Sequence, residues 1–136
     1  MPDKRTSMPI EQICFSGIYY LIKNGEVVYV GQATNVFTRI GIHIAKGEKF
    51  FDSFDYDRVS VEFLDERELM AIIEYNPRYN KALPKNNSYF TLGRIKSVLG
   101  IPMKGVRKYI VDQGLRDIHV CGQVFYIWNR DEETRS

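Results

Sequence analysis

Asn24-Gly25 stands between two runs of β-branched and aromatic residues, one from Cys14 to Ile22 and one from Val27 to Gly31. An Asn-Gly pair accepts positive φ at both positions. That geometry follows the right-handed twist of two antiparallel strands, so the pair is the strongest short hairpin signal. The hairpin constrains this chain more than any other feature, because its register decides which face of the sheet each side chain takes. A two-residue turn sets Tyr19 opposite Val30 and Tyr20 opposite Tyr29, and Tyr19 and Tyr29 then project from opposite sides. A three-residue loop, Lys23-Asn24-Gly25 with Gly25 left-handed in a bulge, sets Tyr19 opposite Tyr29. The residues of the turn alone leave both registers open.

Behind the hairpin the period changes. Thr34 or Asn35 can cap a helix whose apolar positions Val36, Ile40 and Ile44 recur at helical spacing, and Gly47 can end it. Residues 58 to 64 alternate Val59, Val61 and Phe63 with polar neighbours, which predicts a third strand with one buried face. Asp65 then opens a second helix through Leu69, Ile72 and Ile73, and Pro77 closes it. Read locally, Asp65-Glu66-Arg67-Glu68 is a capping box in which Glu68 reaches back to the cap. Hairpin, helix, strand and helix in that order predict an α/β fold, a small antiparallel three-stranded sheet flanked by helices.

Residues 1 to 11 are polar and read as a flexible lead-in, so this first domain is expected over 12–83. Pro84-Lys85-Asn86-Asn87-Ser88 is rich in breakers and marks a linker over 84–89. Beyond it, Thr91 to Leu99 read as a helix, Gly100-Ile101-Pro102 as a tight turn, and Met103 to Gln113 as a helix stopped by Gly114. Residues 118 to 128 read as two strands around Gly122-Gln123, which completes a second domain over 90–130, followed by a loose acidic tail over 131–136.

The chain of 136 residues, 44% hydrophobic and 26% charged, has the composition of a globular protein. No apolar run approaches the roughly 18 residues of a membrane span, and no signal-peptide core is visible; a cytoplasmic protein without a membrane partner is expected. Cys14 and Cys121 match no metal-ligand or redox spacing and are expected as reduced thiols. The net charge of +2 hides an asymmetry: residues 1–83 carry −2, and residues 84–130 carry +6. A basic segment of this kind suits a polyanion, so the second half is expected to hold one.

Gly17-Ile18-Tyr19 and Tyr29-Val30-Gly31, followed by Arg39, His43, Glu68 and Asn80, resemble in order and interval the motifs of the GIY-YIG nuclease family over residues 12 to 83. The stretch from Glu68 through Pro77 to Asn80 is similar to that family's third motif. The resemblance implies a Mg²⁺-dependent (or Mn²⁺-dependent) DNA endonuclease with Tyr19, Tyr29, Arg39, His43, Glu68 and Asn80 in its site and Glu68 as the metal ligand. It implies products with a 5′-phosphate and a 3′-hydroxyl. It also implies that both tyrosines share one site, which favours the three-residue loop.

The residue types suit that chemistry. A guanidinium offers two parallel donors to a phosphate, and an imidazole moves protons near neutral pH. A carboxylate is the hard oxygen ligand that Mg²⁺ prefers, and an amide can satisfy backbone groups after a helix stop. Arg39 and His43, four apart on a helix, share a face. Singly, each has a plainer reading, since surface arginines are solvated, a histidine among isoleucines packs, and strand tyrosines are half-buried. Gln32 stands where several family members have a lysine, so no lysine base is present there. The proton of the attacking water is left to Tyr19, Tyr29 or His43.

Phe90 to Leu115 resembles the helix-turn-helix of excisionase-like and MerR-like winged domains, with the 118–128 hairpin as wing. That resemblance implies DNA contact through Lys96, Lys104, Arg107, Lys108 and Arg116, with His119, Gln123 or Tyr126 on the wing. The plainer alternative is a helical cap with a solvated basic face. For the whole chain the alternatives are a non-cleaving DNA-binding regulator and a structure-specific repair or recombination nuclease. One such site cuts one strand, so double-strand cleavage calls for a homodimer or two successive events.

Overall fold

The computed structural model describes residues 5–129, and the chain divides after Asn80 into two compact units. Strands β1 (Gly17–Lys23) and β2 (Glu26–Ala33) form the hairpin. Its turn is the two residues Asn24 and Gly25, with φ of 51° and 79°, and Lys23 pairs with Glu26. The expected three-residue loop does not form. The bulge lies deeper, at Val28, between the Ile22–Val27 and Leu21–Tyr29 pairs.

The extra residue resolves a conflict. Asn24-Gly25 fits a two-residue turn, but an unbroken ladder from that turn would point Tyr29 away from Tyr19. With Val28 bulged, Tyr19 lies opposite Gly31 and Tyr29 opposite Leu21, so the tyrosines are diagonal neighbours on one face. Val28 and Tyr29 then both pack with Tyr19, Leu21, Val36 and Ile40.

Strand β3 (Ser53–Arg58) pairs antiparallel with the other edge of β1, giving the order β2-β1-β3. The third strand thus precedes the expected 58–64. Val59 is buried, but Val61 and Phe63 are 60% and 52% exposed in a 3₁₀ turn. The true strand also alternates, Phe54 and Tyr56 against Asp55 and Asp57, but aspartate is depleted in strands and hides the period. Gly17 permits the pairing, because a Cβ there would overlap the Asp57 carbonyl oxygen.

Helix α1 (Val36–Lys46) is capped by Asn35, whose Oδ1 accepts from the Thr38 amide at 3.3 Å, and it ends at Gly47. It lays Val36 and Ile40 on the Tyr19 face of the sheet. Its third buried position is His43, whereas Ile44, expected inside, is 64% exposed. Helix α2 (Leu64–Tyr75) packs against β2 and β1 on the other face, where Tyr75 meets Tyr20 at 5.7 Å. It begins at Leu64, with Phe63 as cap and no side-chain capping bond, so Glu68 closes no capping box. Asn76 ends it in a left-handed conformation (φ 43°), just before Pro77.

In the second unit, α3 (Leu92–Leu99) and α4 (Met103–Gln113) run as expected, and Thr91 caps α3 through the Arg94 amide at 3.2 Å. Strands β5 (Asp117–Val120) and β6 (Gln123–Ile127) form the hairpin, which turns at Cys121-Gly122, one residue earlier than expected. A two-residue strand, β4 (Tyr89–Phe90), completes the sheet order β4-β6-β5 and is too short to show a period in sequence. Phe90, Ile95, Val106, Ile110 and Trp128 are its core. The expected lead-in contains a 3₁₀ turn at Ile10–Gln12. The expected tail lies outside the described residues. No helix among the described residues is long and apolar enough to cross a membrane.

A Cβ at Gly31 would overlap the Tyr19 ring. Gly31→Ala should therefore cost about 1–3 kcal/mol, as overpacked sites do. Urea unfolding of the full chain measures this, and a loss smaller than the error would show that the ring is free to move.

Candidate active site

Tyr19 is 1% exposed, and its ring crosses over Gly31, the position on β2 where no side chain obstructs it. Its hydroxyl meets His43 Nε2 at 2.9 Å. The Arg39 guanidinium and the Tyr29 phenol both act electrostatically on the same hydroxyl. The Tyr29 ring is 5.2 Å from that of His43 and 6.1 Å from that of Tyr19, centroid to centroid. Two strands and one helix thus gather four side chains, with Tyr29, Arg39 and His43 around the Tyr19 hydroxyl.

Burial sets the protonation states. It raises the Tyr19 phenol far above its usual range; Tyr29 adds to the shift and Arg39 opposes it. Tyr29 is raised chiefly by burial and then by the Glu68 carboxylate. His43 is lowered, first by burial and then by the positive charges of Lys49, Arg39 and Lys46, with Glu48 opposing. At neutral pH the phenols hold their protons and the imidazole is neutral. The Tyr19 hydroxyl and Nε2 share one hydrogen bond in which either can donate, according to the imidazole tautomer. The imidazole is the member that can take up a proton, directly or relayed through the phenol.

Glu68 comes from the second turn of α2 and is partly buried. Gln32 Nε2 donates to Glu68 Oε2 and to Asp65 Oδ1, the latter at 2.7 Å. Burial raises the Glu68 carboxyl, with the Gln32 bond lowering it and Asp65 raising it. Among the described residues the ion pairs are Arg78–Glu26 and His119–Asp117, so no cation is salt-bridged to Glu68 or Asp65. The same residues hold no cluster of three or more His, Cys, Asp or Glu that could cage a metal. One or two carboxylates, with water and phosphate oxygens completing the shell, is the arrangement in which Mg²⁺ is commonly held.

Asn80 stands behind this group. Its Oδ1 accepts from Val30 N and its Nδ2 donates to Val30 O, both at 2.9 Å, and Tyr79 N donates to Val28 O at 2.9 Å. The segment after α2 is thereby fastened along the free edge of β2, at the bulge.

Tyr19, Tyr29, Arg39 and His43 are therefore brought together, with Glu68 acting on Tyr29 and Asn80 bracing the strand between. Two participants were not visible in sequence. Asp65 serves as a second acceptor for Gln32, and the Lys49 ammonium lies 4.8 Å from the Tyr29 ring centroid. Neither follows from a period, since one depends on how α2 meets β2 and the other on the loop after Gly47. In the second unit Lys96, Lys104, Arg107, Lys108 and Arg116 are all exposed. Lys104, Arg107 and Lys108 share one side of α4, away from the buried Val106 and Ile110.

Over 75 residues the chain is 33% identical to the UvrABC system protein C of Mycoplasma genitalium, a stretch covering 48% of this chain and 13% of that protein. The chain thus spans only a small part of that relative's length. No family model and no solved structure matches it.

Asn80→Ala leaves the Val30 amide and carbonyl unpaired, at about 1–3 kcal/mol for each unsatisfied buried group. Asn80→Asp keeps the acceptor and should lose less. Equal losses in a denaturation series would show that water replaces the amide.

His43 also makes stability depend on pH. Because its folded pKa is depressed, its contribution is full above the unfolded value of about 6.5 and is lost as pH falls through the lower folded value. His43→Gln should flatten the decline of Tm across that acid window. An unchanged slope would place the titration elsewhere.

Proposed function

We propose that the chain is a divalent-metal-dependent endonuclease of the GIY-YIG type that hydrolyses DNA phosphodiester bonds. The observation that carries this reading is the meeting of Tyr29, Arg39 and His43 at the Tyr19 hydroxyl, beside a carboxylate that is in no ion pair among the described residues. The similarity to part of the UvrABC system protein C fits a nuclease domain of this type. It also favours a structure-specific repair nuclease over a sequence-specific one.

In this reading Glu68 holds Mg²⁺ or Mn²⁺, which when bound would polarise the phosphate and lower the pKa of water. Arg39 directs its N–H groups at the phosphate oxygens, where charge grows in the transition state. Tyr19 accepts the proton of the attacking water as its own passes to His43 Nε2, and Tyr29 orients that water. Gln32 steadies the Glu68 carboxylate, and Asn80 keeps β2 in place. The non-cleaving regulator is the weaker reading, because a regulator has no need for these groups to converge.

The second unit is read as a winged helix-turn-helix that holds DNA through Lys96, Lys104, Arg107, Lys108 and Arg116. Two helices joined by a tight turn, a following hairpin and a charge of +6 over residues 84–130 support this.

Purified protein should nick DNA with Mg²⁺, and Glu68→Gln and Arg39→Ala should each slow this by about 10²-fold or more. Mn²⁺ should raise the Tm of the parent chain but not of Glu68→Gln, a readout independent of cleavage. Unchanged cutting by both variants overturns the assignment. Lys104→Ala combined with Lys108→Ala should weaken binding to every DNA and lower the salt slope by roughly one unit per lost phosphate contact. An unaltered slope would make α4 a structural cap.

A further inference from the structure

We infer that the cleft beside His43 is a stacking subsite for one unpaired nucleobase, so that the preferred substrate carries a single-stranded segment next to the cut phosphate. This rests on the nuclease reading for its position and on separate residues for its chemistry.

The cleft has a volume of about 360 Å³ and is lined by His43, Ile44, Lys49, Phe51, Asp52 and Phe54. That falls within the range of about 300–1,000 Å³ typical of small-ligand sites. It opens on the same face of the sheet as Tyr19. Phe54 pairs directly with Leu21, two residues along β1 from Tyr19, and directly paired residues share a face. The Phe54 ring is held edge-on by Phe37, at 6.2 Å and 78°, yet Phe54 remains 45% exposed. Ile44 is 64% exposed at a position where the helical period suggests burial, and Phe50, next to Lys49, is 70% exposed. Two apolar residues of the lining, Ile44 and Phe54, are left open to solvent in one cleft and call for an occupant.

Charge identifies the occupant. Residues 1–83 carry −2, but Lys49, Arg39 and Lys46 all bear on His43. Asp52 also lines the cleft, and its carboxylate disfavours a phosphate inside. The cleft therefore takes the base, and the backbone stays with Arg39 and Lys49. An aromatic platform edged with cations is how proteins hold single strands, because every base offers a π-face once it leaves the duplex. In an intact duplex those faces are already stacked on neighbouring pairs.

The test uses the full chain carrying Glu68→Gln, so that nothing is cut, with Phe54→Trp added as a reporter. The chain's single tryptophan, Trp128, is 2% exposed and supplies a constant background from the parent. A short oligothymidylate should quench the reporter, and a blunt duplex of the same length should not. Phe54→Ala, with folding checked by circular dichroism, should weaken binding of a tailed duplex about tenfold and leave blunt duplex unchanged, in line with the loss of one base stack. No quenching, equal quenching by the duplex, or equal weakening of both DNAs overturns the subsite. The two readings fail separately. Cutting by the chain with Glu68 intact, without quenching, removes the subsite and keeps the nuclease, whereas quenching without such cutting does the reverse.

Discussion

The bulge at Val28 decides on which side of the sheet Tyr29 stands, and the geometry of the site follows from it. Without the extra residue, Tyr29 would fall on the α2 face, out of reach of Tyr19 and His43. With it, Val28 and Tyr29 both enter the cluster under α1. The bulge also shapes the free edge of β2. Tyr79 and Asn80 bond to the backbone at Val28 and Val30, and so fix where the chain leaving α2 must run. The position of Glu68 thus depends on the hairpin on both sides, through Gln32, which bonds to Glu68 itself, and through Asn80 in the segment after α2, which bonds to Val30.

The site is built from groups whose charge is left unbalanced. A half-buried carboxylate beside Asp65 bonds to a neutral amide and, among the described residues, is in no ion pair, so a cation would be welcomed there. Burial, and after it Lys49, Arg39 and Lys46, keeps His43 neutral, and those cations favour an anion near the Tyr19 hydroxyl. Neither arrangement is the one that maximises stability in the empty chain. In the proposed reading a phosphate and a metal would each supply the opposite charge.

Much of this could be read from the chain, and the exceptions have a common cause. The hairpin, α1, α3, α4 and the second hairpin followed from Asn-Gly, caps and helical period, which are local signals. The shared face of Tyr19 and Tyr29 was expected through the wrong device, a longer loop, because a bulge leaves no mark on the turn residues. Strand β3 was displaced because its aspartates disguise an alternation that only pairing with β1 makes favourable. Glu68 read locally as a capping residue, and its bond to Gln32 depends on how α2 packs against β2. His43 took the buried position expected of Ile44, a choice made by the contact with Tyr19 rather than by hydrophobicity.

The same strand that hid in the sequence divides the charge of its unit between two faces. Along β3 the side chains alternate, so Phe54 and Tyr56 join the Tyr19 face while Asp55 and Asp57 pair with Tyr20 and Ile18 on the other. Tyr20 donates to Asp57 Oδ2 at 2.7 Å, which binds that carboxylate to its own side. One face of the sheet therefore gathers carboxylates, and the other gathers aromatics with Arg39, Lys46 and Lys49 above them. A net charge of −2 over residues 1–83 describes the sum of two opposed surfaces and says little about either. The period of two in a β-strand, which places consecutive residues on opposite faces, is enough to produce that separation.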